Sequence, residues 1–330
     1  MGEWVADILG GEFQQQTLWL GDDAEGEVVA TVVRALPQSA PWWWFGQDDR
    51  PLAGVDVLYV HGWSDYFFQT RLARFWTSRG ARFFALDLRK YGRSLRPGQT
   101  PGFITDLSTY DDDIAAALDA RGDAGGRRLV LLGHSTGGLI LSLWASRHPG
   151  EADAVILNSP WLEFQIARTA VAPMVGLHAK LWPRDIAPQV DLGFYTRAQL
   201  EVADPDDPVD VNLEWRPEQT MAVHAAWLNA VLAGHAAVSR GVGIDAPVCV
   251  LLSARSAIPS RWSDELTRAD SVLLVDDIAR AALKLGSSVT VERIDGALHD
   301  VFLSAHDARE DAYARLARWV AGWRATLTGS

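Results

Sequence analysis

The stretch Arg128-Leu-Val-Leu-Leu-Gly-His-Ser-Thr-Gly-Gly-Leu-Ile-Leu-Ser-Leu-Trp-Ala-Ser-Arg147 decides how this chain folds. It opens with an apolar run typical of a buried strand and closes with a segment typical of a helix. Between them lies Gly133-His-Ser-Thr-Gly137. Glycine two positions before and after Ser135 lets the strand and helix backbones approach closely and tolerates unusual dihedral angles. We therefore predict a strand, a sharp turn and a helix, with the Ser135 hydroxyl exposed at the carboxyl end of the strand.

The flanking sequence repeats this alternation of strand and helix. Strands are predicted at 55–60, 81–86, 128–132, 154–157, 247–252 and 289–294, and helices at 68–79, 107–121, 138–147, 277–285 and 308–327. Alternation at this spacing predicts right-handed crossovers and an α/β fold whose mostly parallel sheet is covered by helices on both faces. Near the N-terminus, segments 12–20 and 27–36 predict an antiparallel hairpin.

The alternation stops between residues 159 and 245. This stretch contains helical patches such as 220–238 and several tryptophans, but no obvious parallel strand. We interpret it as a mainly helical cap inserted into a core formed by 1–158 and 246–330. Three further tryptophans, at positions 42 to 44, are predicted to be packed rather than to form a binding surface.

Composition limits the kinds of partner that this chain can have. With 330 residues, 48% of them hydrophobic, it can bury one large core. Its net charge is −12 and its acidic residues are dispersed along the chain, which disfavours nucleic acid and anionic membranes as partners. Its one cysteine, Cys249, lies in an apolar strand and indicates a reducing compartment. We find neither a signal peptide nor an apolar run long enough to span a bilayer, and we expect a cytoplasmic location.

A serine at such a turn needs a histidine base, and that base follows it in the chain. Of the eight histidines, His299 and His306 lie late enough and outside the insertion. His299 follows the strand 289–294 directly, where its side chain can reach Ser135, whereas His306 stands just before the last helix. We predict that His299 is the base and that His306 faces solvent.

The acid that orients this histidine should follow the strand 247–252. The candidates are Asp264, Glu265, Asp270, Asp276 and Asp277. Asp276 and Asp277 come just before a predicted helix, where capping explains at least one of them. Asp270 is followed by small and apolar residues that can anchor a loop against the core. We favour Asp270, and Asp276 is the alternative.

A tetrahedral intermediate on Ser135 needs two amide donors for its oxyanion. The first is the backbone N–H of Thr136, directly after the serine. The second is expected from the loop after strand 55–60, where His61-Gly62-Trp63 offers the Trp63 amide. We also expect His61, His134 and Trp161 to contact the substrate.

Together, His61-Gly62, the segment Asp87-Leu-Arg-Lys-Tyr-Gly-Arg-Ser94, the turn at 133–137, an acid near 270 and Gly-x-x-His at 296–299 resemble the α/β-hydrolase family of monoacylglycerol lipases, lysophospholipases and serine aminopeptidase-like hydrolases. The resemblance extends over about residues 55–325. It implies a cap, a Ser135-Asp270-His299 triad, no cofactor or metal, and hydrolysis of a carboxylic ester.

The chain departs from the pattern of this family at two places. Lys90 stands where many relatives have glycine, and we expect this difference to change only a turn. Relatives place the acid soon after its strand, whereas here residues 254–269 intervene. We expect part of this segment, 253–262, to form an extra loop near the site.

We therefore expect a serine esterase that acts on a small apolar acyl ester, such as a monoacylglycerol or a lysophospholipid. The alternative within enzymes is an amidase or aminopeptidase, for which acids of the insertion would bind the substrate ammonium group: Glu201, Asp204, Asp206, Asp207 and Glu214. A third possibility is a protein of this fold that binds a ligand without turning it over. The sequence determines neither the natural substrate nor the oligomeric state.

Overall fold

The structure is a computed structural model that describes residues 2–37, 50–164, 168–189, 191–204, 210–258 and 260–328. The prediction for the tryptophans at 42 to 44 lies outside these residues.

The described strands form one sheet of nine, in the order β1-β2-β3-β5-β4-β6-β7-β8-β9. The strands are β1 Val5–Ala6, β2 Phe13–Asp23, β3 Gly26–Ala35, β4 Val55–Val60, β5 Arg82–Asp87, β6 Arg128–His134, β7 Ala154–Asn158, β8 Val248–Ser253 and β9 Val289–Ile294. The first three strands pair antiparallel with one another, and β3 pairs antiparallel with β5; every pair from β5 to β9 is parallel. Both the mostly parallel sheet and the N-terminal hairpin are as predicted.

The described residues contain eight α-helices, and helices pack on both faces of the sheet. They are α1 Thr70–Thr77, α2 Tyr110–Ala120, α3 Thr136–Arg147, α4 Arg168–Leu181, α5 Phe194–Val202, α6 Ala225–Arg240, α7 Val275–Ala282 and α8 His306–Thr328. Strand side chains alternate between two buried clusters: Leu58 belongs to one that includes residues of α2, α3 and α7, and Tyr59 belongs to one that includes residues of α1 and α8. This alternation follows from the two-residue period of a strand and gives the sheet a core on each face.

The connection between β7 and β8 contains the helices α4, α5 and α6, and none of its described residues belongs to a strand of the sheet. Helix α6 packs closely on α3, because a Cβ added to Gly234 would lie 3.1 Å from Leu143 and 3.3 Å from Leu139. We call residues 159–247, which lie between β7 and β8, the β7–β8 connection. The division into a core of 1–158 and 246–330 and a cap of 159–245 stays a prediction.

Lys90 does more than change a turn, which corrects the expectation from the sequence. Its φ of 63° is in the left-handed region that favours glycine. Its side chain is 2% exposed, and Nζ lies 2.6 Å from carboxylate oxygens of both Asp23 and Glu25. Lys90 therefore ties the tip of the N-terminal hairpin to the loop after β5. Among the described residues, no helix has both the length and the apolar character of a membrane span.

Candidate active site

The turn between β6 and α3 has the close packing that its glycines predict. A Cβ on Gly133 would lie 2.7 Å from the Gly137 carbonyl oxygen, and one on Gly137 would lie 2.3 Å from the His61 carbonyl oxygen. The unusual backbone conformation, however, belongs to Ser135 itself, with φ 51° and ψ −117°. The glycines are thus required for close approach and not for their own dihedral angles. A strained non-glycine residue at a turn is typical of a functional site.

The structure brings together the three side chains that the sequence singles out. The Ser135 Oγ lies 3.0 Å from His299 Nε2, and His299 Nδ1 lies 2.9 Å from Asp270 Oδ2. His299 is 3% exposed and Asp270 is fully buried. The second oxygen of Asp270 accepts hydrogen bonds from the backbone N–H groups of Val272 and Leu273, each at 2.8 Å. Asp270 is thus held as an acceptor, with His299 Nδ1–H as the donor to its first oxygen.

The alternative acid, Asp276, and the alternative base, His306, do not take part in these contacts. Asp276 has a side chain that is 69% exposed and forms an ion pair with Arg293. It lies within the first turn of α7 rather than before the helix, so it favours the helix through its charge and not as a cap. His306 begins α8, with its side chain 68% exposed beside Asp307, as predicted.

The loop after β8 explains how an acid so far along the chain reaches His299. The Asp270 N–H donates to the Arg255 carbonyl at 3.0 Å, and the Ala257 N–H donates to the Asp270 carbonyl at 2.8 Å. The chain thus leaves β8, makes an excursion and returns to pair with its own start. As expected, the excursion lies near the site, because Ile258 lines the cavity described below.

The two predicted oxyanion donors flank Ser135. Thr136 is the first residue of α3, so its N–H has no acceptor within its own helix. Trp63 follows β4, and the loop that carries it lies against the serine, since a Cβ on Gly62 would lie 3.0 Å from Ser135 Cβ. Within the described residues, the Trp63 amide donates to no protein acceptor. Both amides are therefore available to a ligand, and their role stays a prediction.

A cavity of about 550 Å³ opens above these groups. Its apolar walls come from the loops after the strands and from the β7–β8 connection: Trp63, Trp161, Phe164, Leu192, Phe194, Tyr195, Ile258, Val272 and Leu273. Ser135 and His299 open into it, as do His134 and Trp161, which the sequence analysis assigns to substrate contact. Burial lowers the pKa of His134 to about 4, so this ring stays neutral beside the ring of His299.

His61 does not line this cavity, which corrects its predicted contact with the substrate. It is 1% exposed and packs against Tyr91, and burial lowers its pKa. Its Nε2 accepts a hydrogen bond from the Leu88 N–H at 3.2 Å, and its Nδ1 lies 2.7 Å from the Gly62 carbonyl oxygen. His61 therefore supports the loop from behind.

Asn158, at the end of β7, connects the serine turn to the histidine loop, and sequence reasoning missed it. Its carbonyl accepts from the Ser135 N–H at 3.0 Å, while its side-chain amide donates to buried Asp300 at 2.7 Å. Asp300 directly follows His299. The signal was present in part, because Asn158 is a polar residue at the carboxyl end of a strand next to β6.

Sequence reasoning also missed an ion pair in the cavity wall. Arg216 Nε lies 3.1 Å from Asp65 Oδ1, and each side chain is 8% exposed. Burial raises the pKa of Asp65 to about 7, against the opposing effect of Arg216. Asp65 follows the predicted oxyanion loop directly, but nothing in the sequence marks Arg216 as its partner.

The acids considered for an ammonium group do not line the cavity where they are described. Asp204 pairs with Arg309, and Glu201 pairs with Arg197. Glu214 is exposed and absent from the cavity wall, while Asp206 and Asp207 lie outside the described residues. Among the described residues, no group of three or more His, Cys, Asp or Glu side chains is placed to hold a metal ion.

Parts of this chain are similar in sequence to known lipases and phospholipases. The monoacylglycerol lipase of Mycolicibacterium smegmatis is 31% identical over 135 residues, which cover 40% of this chain and 46% of that lipase. The phospholipase YtpA of Bacillus subtilis is 33% identical over 126 residues, which cover 37% of this chain and 46% of that protein. The chain thus matches less than half the length of these curated relatives.

The fold matches that of a solved monoglyceride lipase. A soluble variant of the enzyme from Saccharomyces cerevisiae, in complex with a substrate analogue, superposes with a TM-score of 0.65 at 14% identity, over 98% of this chain and 99% of that one. The family model described as serine aminopeptidase, S33, matches residues 55–304. The chain therefore belongs to the serine aminopeptidase S33 family and has the α/β-hydrolase fold that its serine turn predicts.

Proposed function

We propose that this protein is a carboxylic ester hydrolase that works through an acyl-enzyme on Ser135. The observation that carries the proposal is the continuous series of contacts from Ser135 Oγ through His299 to Asp270. A hydroxyl is a weak nucleophile until a base removes its proton, and His299 Nε2 is within hydrogen-bond distance. The relatives named as lipases and phospholipases support an ester as the substrate.

In the proposed reaction, Ser135 Oγ attacks the ester carbonyl carbon while its proton passes to His299 Nε2. Asp270 holds Nδ1–H, which keeps Nε2 free to accept that proton and stabilises the imidazolium that forms. The N–H groups of Thr136 and Trp63 bind the oxyanion. His299 then protonates the leaving alcohol, the acyl group stays on Ser135, and a water activated by His299 releases it as the acid.

The walls of the cavity favour an apolar acyl or aryl group. Aromatic rings provide large apolar contact areas, and Trp161, Phe194 and Tyr195 supply three of them. Monoacylglycerols and lysophospholipids combine one acyl chain with a polar alcohol, and they are the substrates that we propose. Three described acids, Asp65, Asp191 and Glu218, line the cavity. The preference for an ester therefore rests on the relatives named as lipases and phospholipases.

The test is hydrolysis of p-nitrophenyl esters of graded acyl length, compared with aminoacyl p-nitroanilides. We expect turnover of the esters and much slower turnover of the anilides. A fluorophosphonate should label the wild type and leave Ser135→Ala unlabelled. Folded wild-type protein that neither hydrolyses any ester nor reacts with the fluorophosphonate would contradict the proposal.

A further inference from the structure

The loop that carries the predicted oxyanion donor is attached to the β7–β8 connection at three consecutive residues. We call residues 62–66 the β4 loop. Ser64 Oγ accepts a hydrogen bond from the Met221 N–H at 3.0 Å, and the Tyr66 hydroxyl accepts one from the Asn212 N–H at 2.7 Å. Between them, Asp65 pairs with Arg216 at 3.1 Å.

The β4 loop needs this support because part of it is strained. Ser64, directly after Trp63, has a φ of 54°, which is unfavourable for a residue with a side chain. Such a conformation persists only where the surrounding structure holds it. Ser64, Asp65, Tyr66 and Met221 are all buried, so their contacts compete with water less than contacts at the surface do.

Arg216 is the centre of this attachment. Besides Asp65, its guanidinium donates through Nη2 to Gln199 Oε1 of α5 at 2.6 Å, and it lies 5.4 Å from the centre of the Phe68 ring. It also lies 5.7 Å from the Tyr195 ring, which in turn packs against the ring of His299 at 5.5 Å. One buried side chain therefore contacts the β4 loop, helix α5 and the ring beside the base.

We propose that Arg216 is a positioning residue that, through Asp65, holds the β4 loop so that the Trp63 amide points at the oxyanion. The inference rests on the proposed function, because an oxyanion forms only if Ser135 attacks an ester carbonyl. It adds that the β7–β8 connection helps to assemble the catalytic centre as well as enclosing the cavity. A misplaced donor slows the chemical step without weakening the binding of the ground-state ester.

The first experiment compares Arg216→Met with wild type in steady-state hydrolysis of p-nitrophenyl butyrate. We expect kcat to fall by about 10- to 100-fold and KM to change by less than about threefold. The reason is that displacement of the Trp63 amide by about 1 Å costs up to about 100-fold in rate. A trifluoromethyl ketone that mimics the tetrahedral intermediate should lose affinity in proportion to kcat/KM, while a non-hydrolysable ether analogue should not. Arg197→Met is the matched control, because Arg197 is half exposed and does not line the cavity; it should keep wild-type kinetics.

A second variant separates positioning from a merely structural role. Removing one partner of a buried ion pair destabilises a protein, whereas replacing both by apolar residues is often neutral. Asp65→Leu/Arg216→Met should therefore unfold near the wild-type temperature and still show the loss of kcat. Recovery of kcat together with stability would overturn the proposal. Tyr66→Phe removes a neighbouring attachment with little risk to folding and should lower kcat by about three- to tenfold on the same reasoning.

A third comparison excludes direct recognition of an anionic substrate by Arg216. The mono-p-nitrophenyl ester of glutaric acid resembles the butyrate ester in length and carries a carboxylate. If Arg216→Met raised KM for this anionic ester alone and left kcat unchanged for both, Arg216 would be a substrate contact and the proposal would be wrong. If the wild type hydrolyses no ester and reacts with no fluorophosphonate, the proposed function fails first, and this inference fails with it.

Discussion

The contact between Gly62 and the serine turn leads to a quantitative prediction for Gly62→Ala. A Cβ at this position would lie 3.0 Å from Ser135 Cβ and 3.3 Å from His134 Cδ2. Carbon atoms in ordinary contact are about 3.5–4.0 Å apart, so the β4 loop must move away from Ser135 by about 0.5–1 Å. A displacement of this size costs up to about 100-fold in rate, or about 2.7 kcal/mol of transition-state stabilisation.

The assay is steady-state hydrolysis of a p-nitrophenyl ester together with thermal unfolding. We expect a loss of about 30- to 100-fold in kcat/KM, carried mainly by kcat, with a folded protein of near wild-type stability. The matched control is Gly322→Ala in α8, where the added methyl meets no atom within 4 Å. This control should keep full activity. Gly62→Ala protein with kcat/KM within about twofold of wild type would show that the position of the β4 loop does not limit the reaction.

Two further predictions concern the acids. Asp270→Asn should lower kcat by about 10⁴-fold, because the amide favours the wrong histidine tautomer, whereas the exposed Asp276→Asn should keep kcat within about twofold of wild type. Steady-state kinetics of both variants checks this, and a large loss in Asp276→Asn with little loss in Asp270→Asn would assign the acid to Asp276. Burial raises the pKa of Asp65 to about 7, with Arg216 opposing and Asp300 adding to the rise, so Asp65 is neutral below this pH and ionised above it. The infrared difference between wild type and Asp65→Asn should contain a protonated carboxyl band at pH 5.5 and none at pH 8.5. The difference is needed because burial also raises the pKa of Asp113 to about 6. A difference without this band at pH 5.5 would mean that Asp65 stays ionised.

The fold was largely predictable because its signals are local. The period of the apolar residues identified the strands from β4 to β9 and the helices between them other than α4 and α5, with boundaries that differ by a few residues. The Lys90 turn shows where this reasoning ends. Its place in a turn was predicted, but its buried ion pairs with Asp23 and Glu25 depend on how the hairpin folds over it.

The site was predictable only where chain order and strand ends determine a position. Ser135, His299 and the Trp63 loop all follow strands of the parallel part of the sheet, and the carboxyl ends of such strands meet at one edge. His61 also follows β4, yet its ring turns away from the cavity toward Leu88. Position in the chain therefore placed the backbone correctly and left the direction of this side chain open.

The sequence by itself determined the serine turn, the order of strands and helices, and the membership of the chain in its family. Close approach of two backbones requires glycine at particular positions, and burial of a strand or helix requires apolar residues at a particular period. Both patterns can be recognised within ten or twenty residues of sequence. Only the tertiary structure brought Asp270 rather than Asp276 to His299, joined Asn158 to Asp300, and set Arg216 against Asp65. These pairs form between segments that are far apart in the chain. When such segments pack together, their buried polar groups must find hydrogen-bond or ion-pair partners, and no local pattern in the sequence shows which groups will meet.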